Sequence, residues 1–315
     1  MANTSPSRLF QLPAALRSAA LSTSLAPTLS RTPKPLVPAT TPSPGRAYAT
    51  ATLPPPPAQS SVNQAEVSHF NTLASAWWDP HGSSRLLHLM NPLRHDFIRR
   101  CTNQEVRDPN EKLHYLDIGC GGGIFAESAA RMRNVSTVTA VDPTPEVIAV
   151  ARKHQRVDPT LLEPGKLTYL QTSIEELSRQ KEVRQQYDII TLFEVIEHIQ
   201  QPSPFLQSIL KHLKPGGWLV GSTIARTPVS WFTTKLMAEE VLGIVPRGTH
   251  EWSQYIQPQE MRDWARQQKA LSTSEGVGWQ VMGVVYVPGI GWKEVRGSES
   301  LGNYFFGMKK RDDAE

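Results

Sequence analysis

The run Leu116-Asp117-Ile118-Gly119-Cys120-Gly121-Gly122-Gly123 constrains the chain more than any other. It ends an apolar, strand-like stretch over residues 113–118 and opens a helix-like stretch over residues 125–132. Glycines in that position let the backbone take dihedrals closed to other residues and approach a ligand closely. The same order then repeats. Strands are predicted over 138–141, 167–170, 188–193 and 218–223, with helices over 146–154, 174–181 and 204–213. Near-continuous apolar strands alternating with helices imply a parallel sheet covered on both faces, an α/β fold. Two helices, 63–78 and 91–100, precede the first strand, and two further strands, 281–287 and 304–308, follow the last. A stretch of about fifty residues, 224–275, separates them, too long for a plain connection, and is expected to hold two helices.

Charge is placed unevenly. Lys and Arg number 33 against 29 Asp and Glu. Arg8, Arg17, Arg31, Lys34 and Arg46 all precede the first acid, Glu66, so the rest of the chain is close to neutral and a nucleic-acid-binding body is not supported. That leader is also rich in Ser, Thr and Ala, and holds twelve of the 26 prolines. Residues 1–50 are expected to be an organelle transit peptide, most naturally mitochondrial, processed within 45–55; a tail without an address is the alternative. Residues 51–62 read as a Pro-rich linker and 63–310 as the folded domain. Cys101 and Cys120 cannot build a disulfide framework. No stretch reads as a membrane span.

The second strand ends in Val141-Asp142, and an acid at that tip can accept hydrogen bonds from both hydroxyls of a ribose. The glycines fit G-x-G-x-x-A from Gly121 but fail G-x-G-x-x-G from Gly119, so a dinucleotide stays open on glycines alone. Asp117 weighs toward S-adenosylmethionine, because an acid there suits a cationic methionine end and sits poorly beside a pyrophosphate. The fourth strand runs into Phe193-Glu194-Val195-Ile196-Glu197-His198. If a helix starts at Glu194, then Glu194, Glu197 and His198 share one face. Two carboxylates and an imidazole suit a divalent cation such as Mg²⁺, and equally suit capping or a metal-free general base.

Several of these motifs, taken together, resemble the ubiquinone-biosynthesis O-methyltransferases. They are Phe70 with Ala76-Trp77-Trp78-Asp79; Asn91-Pro92-Leu93-Arg94; the glycine run; 193–198; Lys214-Pro215-Gly216-Gly217; and Val245-Pro246-Arg247-Gly248-Thr249-His250-Glu251-Trp252. The likeness covers about residues 66–307. It implies a class I S-adenosylmethionine-dependent methyltransferase with a Rossmann-like, seven-stranded, mostly parallel sheet and a helical insertion. It implies methylation of catechol hydroxyls on 3,4-dihydroxy-5-polyprenylbenzoate and demethylubiquinol, at the matrix side of the mitochondrial inner membrane beside other enzymes of that pathway. Carried over by position, Arg94, Gly119, Asp142 and Phe193 are donor-binding, with Phe193 near the adenine. Glu194, Glu197 and His198 are metal ligands, with His198 and Glu194 catalytic. Residues 170–173 depart from the common pattern, offering neutral groups where an acid often reads the adenine amine.

The insertion is expected to handle the lipid. Residues 229–245 are apolar on most helical faces, interrupted by Lys235, Glu239 and Glu240, and Trp231, Phe232, Lys235 and Arg247 suggest peripheral contact with a bilayer; a packed lid is the alternative. His250 is a second candidate base. Trp77 and Trp78 either line a pocket mouth or staple the N-terminal helix. A metal-independent small-molecule methyltransferase and a donor-binding scaffold without turnover remain the competing functions.

Overall fold

The computed structural model describes residues 60–103, 111–179, 186–231 and 252–313. The leader, most of the linker, Phe232, Lys235, Arg247 and His250 lie outside the described residues. The elements, in chain order, are α1 (Gln64–Leu73), α2 (Arg85–Thr102), β1 (Leu113–Ile118), α3 (Ile124–Ala130), β2 (Val135–Asp142), α4 (Pro145–Gln155), β3 (Leu167–Gln171), α5 (Ile174–Arg179), β4 (Tyr187–Phe193), α6 (Pro202–Leu210) and β5 (Leu213–Ile224). They continue with the single turn α7 (Pro228–Ser230), then α8 (Pro258–Gln267), β6 (Leu271–Ser272), β7 (Trp279–Val287), β8 (Gly291–Glu294) and β9 (Asn303–Lys310).

One sheet organises all of them, in the order β3-β2-β1-β4-β5-β9-β7-β8, with β6 pairing β9 at its side. β1 to β5 are mutually parallel, whereas β9 runs antiparallel to both β5 and β7. The seven strands expected from sequence are present. β6 and β8 are additions, because a two-residue strand and a four-residue strand after a glycine turn leave no periodic signal of their own. Side chains alternate across the sheet as a pleated strand requires. Along β1, Tyr115 joins the core under α2 and α3, while Leu116 and Ile118 join the core under α5, α6 and α8.

Two boundaries ahead of β1 differ from expectation. α2 starts at Arg85 instead of 91, since Pro92 reads as a first helical residue but here sits inside a helix whose earlier turn is anchored by buried Met90 and by Trp292 Nε1 donating to the Leu86 carbonyl at 3.0 Å. α1 ends at Leu73, and residues 74–76 tighten into a 3₁₀ turn ahead of the tryptophans. The described part of 224–275 holds one full helix, α8, together with the α7 turn, and the apolar stretch expected to form the other helix lies mostly outside the described residues.

The strand order reverses between β1 and β4, so the loops after these two strands diverge and leave a crevice at their carboxyl ends. β5 borders that crevice and tolerates no extra bulk at Gly221, where a Cβ would meet the Leu192 carbonyl at 2.6 Å and the Phe306 ring. Gly221→Ala is therefore expected to cost about 1–3 kcal/mol through overpacking. A lowered urea midpoint with unchanged m-value checks this.

Candidate active site in the crevice

The glycine turn closes the floor of a cavity of about 680 Å³. Gly119 and Gly121 take φ of 66° and 53°, the left-handed region that glycine tolerates. A Cβ at Gly121 or Gly122 would strike the Trp77 indole, which lies against the turn. Trp78 acts differently. Its Nε1 donates to the Gly122 carbonyl at 2.8 Å, and its ring stacks on His154 at 3.4 Å. His154 in turn meets the fully buried Glu127 at 2.9 Å. One tryptophan lines the cavity and its neighbour staples the N-terminal segment to α4.

All four expected donor-binding residues line this cavity. Asp142, at the tip of β2, braces the turn: Oδ2 accepts from Gly121 N at 3.0 Å and Oδ1 from Thr144 N at 2.9 Å. The Thr144 hydroxyl donates to the same carboxylate, which leaves it one further acceptor position. Asp117, beside it, accepts Thr191 Oγ1 on Oδ1 at 2.7 Å, while its buried Oδ2 has no partner. Arg94 is buried too, with its guanidinium 4.9 Å above the Phe193 ring and its Nε without a partner. No ion pair joins Arg94 to Asp117 among the described residues, and the Arg94 Nε and Asp117 Oδ2 atoms are both left without a partner. Phe193 packs against Arg94, Phe125 and Phe305, which puts its ring at the Arg94 end of the cavity. At the end of β3, Thr172 and Ser173 line the cavity, and Glu176 stands behind them, accepting Thr172 Oγ1 at 3.1 Å.

The acidic cluster departs from expectation. Glu194 does not open an α-helix: it takes φ of 55°, and a single 3₁₀ turn, Ile196–His198, follows. A non-glycine residue in that region stores strain of roughly 1 kcal/mol or more. The three side chains are held separately. Ser222 Oγ donates to Glu194 Oε1 at 2.6 Å, Thr223 Oγ1 donates to Glu197 Oε2 at 3.0 Å, and His198 Nδ1 meets Glu66 Oε2 of α1 at 3.1 Å. The shared helical face that suggested a cation is absent, and no three such groups among the described residues converge as metal ligands. As placed, the cluster does not fit a divalent cation. Glu66, Ser222 and Thr223 carry no motif, and only the folded chain brings them to the cluster.

Burial dominates the titration of the site. It pushes Asp117 up to about 7, against the Thr191 hydrogen bond and the Arg94 charge. It pushes Glu197 to about 7 as well, aided by Glu194 and opposed by His198 and Thr223. For His198 burial favours the neutral ring, but the Glu66 hydrogen bond and the charges of Glu197, Glu66 and Glu194 outweigh it, and its pKa rises. Arg94 is lowered by burial. A carboxyl raised in the fold binds its proton more tightly there than in the unfolded chain, so its stabilisation is complete below the unfolded pKa and is lost as pH rises through the folded one. The Asp117 window therefore runs from its ordinary 3.8 to about 7. The melting temperature of the empty protein should fall as pH rises across that window, and Asp117→Asn should flatten the fall; a slope unchanged by Asp117→Asn would refute the assignment.

Comparison with known proteins fits this geometry. Residues 66–268 match the methyltransferase-domain family. The mitochondrial ubiquinone biosynthesis O-methyltransferase of Candida albicans is 38% identical over 288 residues, covering 79% of this chain and 86% of that protein. Its Schizosaccharomyces pombe counterpart is 41% identical over 255 residues, covering 79% and 87%. The ubiquinone biosynthesis O-methyltransferase of Marinobacter nauticus is 40% identical over 207 residues, covering 65% and 81%. Among solved structures, the plantazolicin methyltransferase BpumL in complex with SAH has a TM-score of 0.52 at 17% identity, covering 79% of this chain and 99% of that one, a likeness of fold alone. The parallel sheet, the glycine turn at its switch point and these relatives give one conclusion: the chain is a class I methyltransferase belonging to the ubiquinone biosynthesis O-methyltransferase family.

Proposed function

We propose that the protein transfers a methyl group from S-adenosylmethionine to a catechol-type hydroxyl of a polyprenylated ring, on both the dihydroxybenzoate and the demethylubiquinol acceptors of ubiquinone biosynthesis. The observation that carries this reading is the charge layout of the cavity. A buried cation with an unpartnered Nε and a buried carboxylate with an unpartnered oxygen face one space without pairing to each other. That pair complements the carboxylate and ammonium of a methionine moiety, through Arg94 and Asp117 respectively. The remaining acceptor position of Asp142 serves a ribose hydroxyl. With Phe193 engaged at the Arg94 end, we assign the adenine to the side of Thr172 and Ser173.

The acceptor hydroxyl then lies between the donor methyl and the Glu194, Glu197 and His198 cluster. Its oxygen attacks the methyl carbon in line, the carbon–sulfur bond breaks, and the sulfonium leaves as a neutral thioether. The phenolic proton passes to the Glu197–His198 pair, which is suited to take it because the Glu197 carboxyl is poised near neutrality. Glu66 and Ser222 hold His198 and Glu194 in place. Because the cluster as placed does not fit a cation, no step is assigned to one.

Methyl transfer followed by mass spectrometry, with a short-tailed dihydroxybenzoate as acceptor, tests the reading directly. One added methyl group is expected, with Glu197→Gln slower by about 100-fold or more, the scale of a lost general base. Donor binding without turnover on any soluble acceptor would favour a scaffold instead. The same reaction with chelator decides the cation: activity lost with chelator and restored by Mg²⁺ returns the cluster to metal binding, whereas indifference leaves it as the proton acceptor.

The relatives named as mitochondrial support a mitochondrial location, with the leader as its address. No helix among the described residues is long and apolar enough to cross a membrane. We place the protein peripherally on the matrix face of the inner membrane, beside other enzymes of the pathway, on the strength of its insoluble substrates and of Trp231, which is 46% exposed. Trp231→Glu should reduce co-flotation with liposomes, and unchanged flotation would remove this residue from the contact.

A further inference from the structure

The cavity has a polar pole and an apolar one. Its charged described lining residues, Arg94, Asp117, Asp142, Glu194, Glu197 and His198, all stand at the donor and acceptor groups already described. Strand register leads from there to the surface. Ser222 and Thr223, which hold Glu194 and Glu197, pair with Phe305 and Tyr304. The next rung is Ile224 with Asn303, and Ala225 N donating to the Gly302 carbonyl at 2.9 Å extends it. Leu301 follows, its carbonyl accepting Thr227 Oγ1 at 2.7 Å. β7 arrives at the same level, because Gly283 pairs with Tyr304, and it continues through Val284 to Val285. Leu301 and Val229 are each 50% exposed and Val285 is 40% exposed, yet all three line the cavity. These three and Pro288 are the lining residues that stand open to solvent, and all four are apolar.

We propose that the rim formed by Leu301, Val285 and Val229 is the subsite through which a linear isoprenoid tail of the acceptor leaves the cavity. The inference rests on the catechol-acceptor reading above and deepens it. Two residues of strand separate the level of Thr223 from that of Ala225, about 7 Å, which is comparable with the width of an aromatic ring. A ring whose hydroxyl reaches Glu197 thus carries its tail to Leu301 and Val285. Three large apolar side chains at one opening form a patch, unlike the single exposed apolar residues scattered over an ordinary surface. Covering them with hydrocarbon removes apolar area from water on both partners.

Steady-state kinetics of the full chain tests this, using detergent-dispersed catechols that share one ring and differ only in tail: none, one isoprene unit, and several. Leu301→Asp and Val285→Asp are the variants, chosen because both positions are partly exposed and a charge there leaves the core intact. For the wild type, KM should fall as the tail lengthens. Each variant should lose about tenfold or more in kcat/KM on the long-tailed acceptor, through KM, and keep its activity on the tailless catechol. Equal losses on all acceptors, or none on any, would overturn the subsite. A loss seen only with acceptor presented in vesicles, and absent in detergent, would also overturn it and assign the rim to the bilayer. If the wild type methylates no catechol while calorimetry still shows donor binding, the acceptor reading itself falls and takes the subsite with it.

Discussion

Arg94 and Asp117 are buried in one cavity as opposite charges that do not touch, and much of the site is arranged around keeping them so. An ionisable group taken out of water is costly unless paired, and the raised Asp117 and lowered Arg94 record that cost. The fold supports each from behind. Thr191, directly across the β1–β4 register from Asp117, supplies a hydroxyl, and the Phe193 ring supplies a face for the guanidinium. The zwitterionic methionine end of the proposed donor would complete both at once.

The N-terminal segment belongs to the site as much as the sheet does. α1 has no fully buried residue, and it is held by contacts that are themselves parts of the cavity. Glu66 meets His198, Phe70 sets its edge against the same imidazole at 5.3 Å, and Trp77 lies on the glycine turn. Away from these groups, α1 also meets α4, where Glu146 N donates to Asn71 Oδ1 at 3.3 Å. Trp78 and His154, resting on buried Glu127, tie the end of that segment to α4 outside the cavity.

The fold was legible where periodicity and punctuation agree. β1, the glycine turn and α3 follow from an apolar run stopped by glycines, and the parallel order of β1 to β5 follows from strand–helix alternation. Misreadings arose where local signals mislead. Pro92 imitates a helix start, and the short β6 and β8 exist only because β9 and β7 offer them partners. At the site, Arg94, Gly119, Asp142, Phe193, Glu194, Glu197 and His198 all reach the one cavity. For the last three, spacing assumed a helix from Glu194, whereas the backbone there turns left-handed and sends the side chains to three different partners.

What the sequence by itself determined is the class of fold, the glycine turn, the acids at the strand tips and the family, because each of these is written in neighbouring residues or fixed spacings. The tertiary structure alone decided which groups meet. It paired Glu66 with His198 and Thr223 with Glu197, left Arg94 and Asp117 apart, and opened the cavity onto Leu301 and Val285. The physical reason is that these relations join residues distant in the chain across strand register and helix packing, where no local periodicity records them.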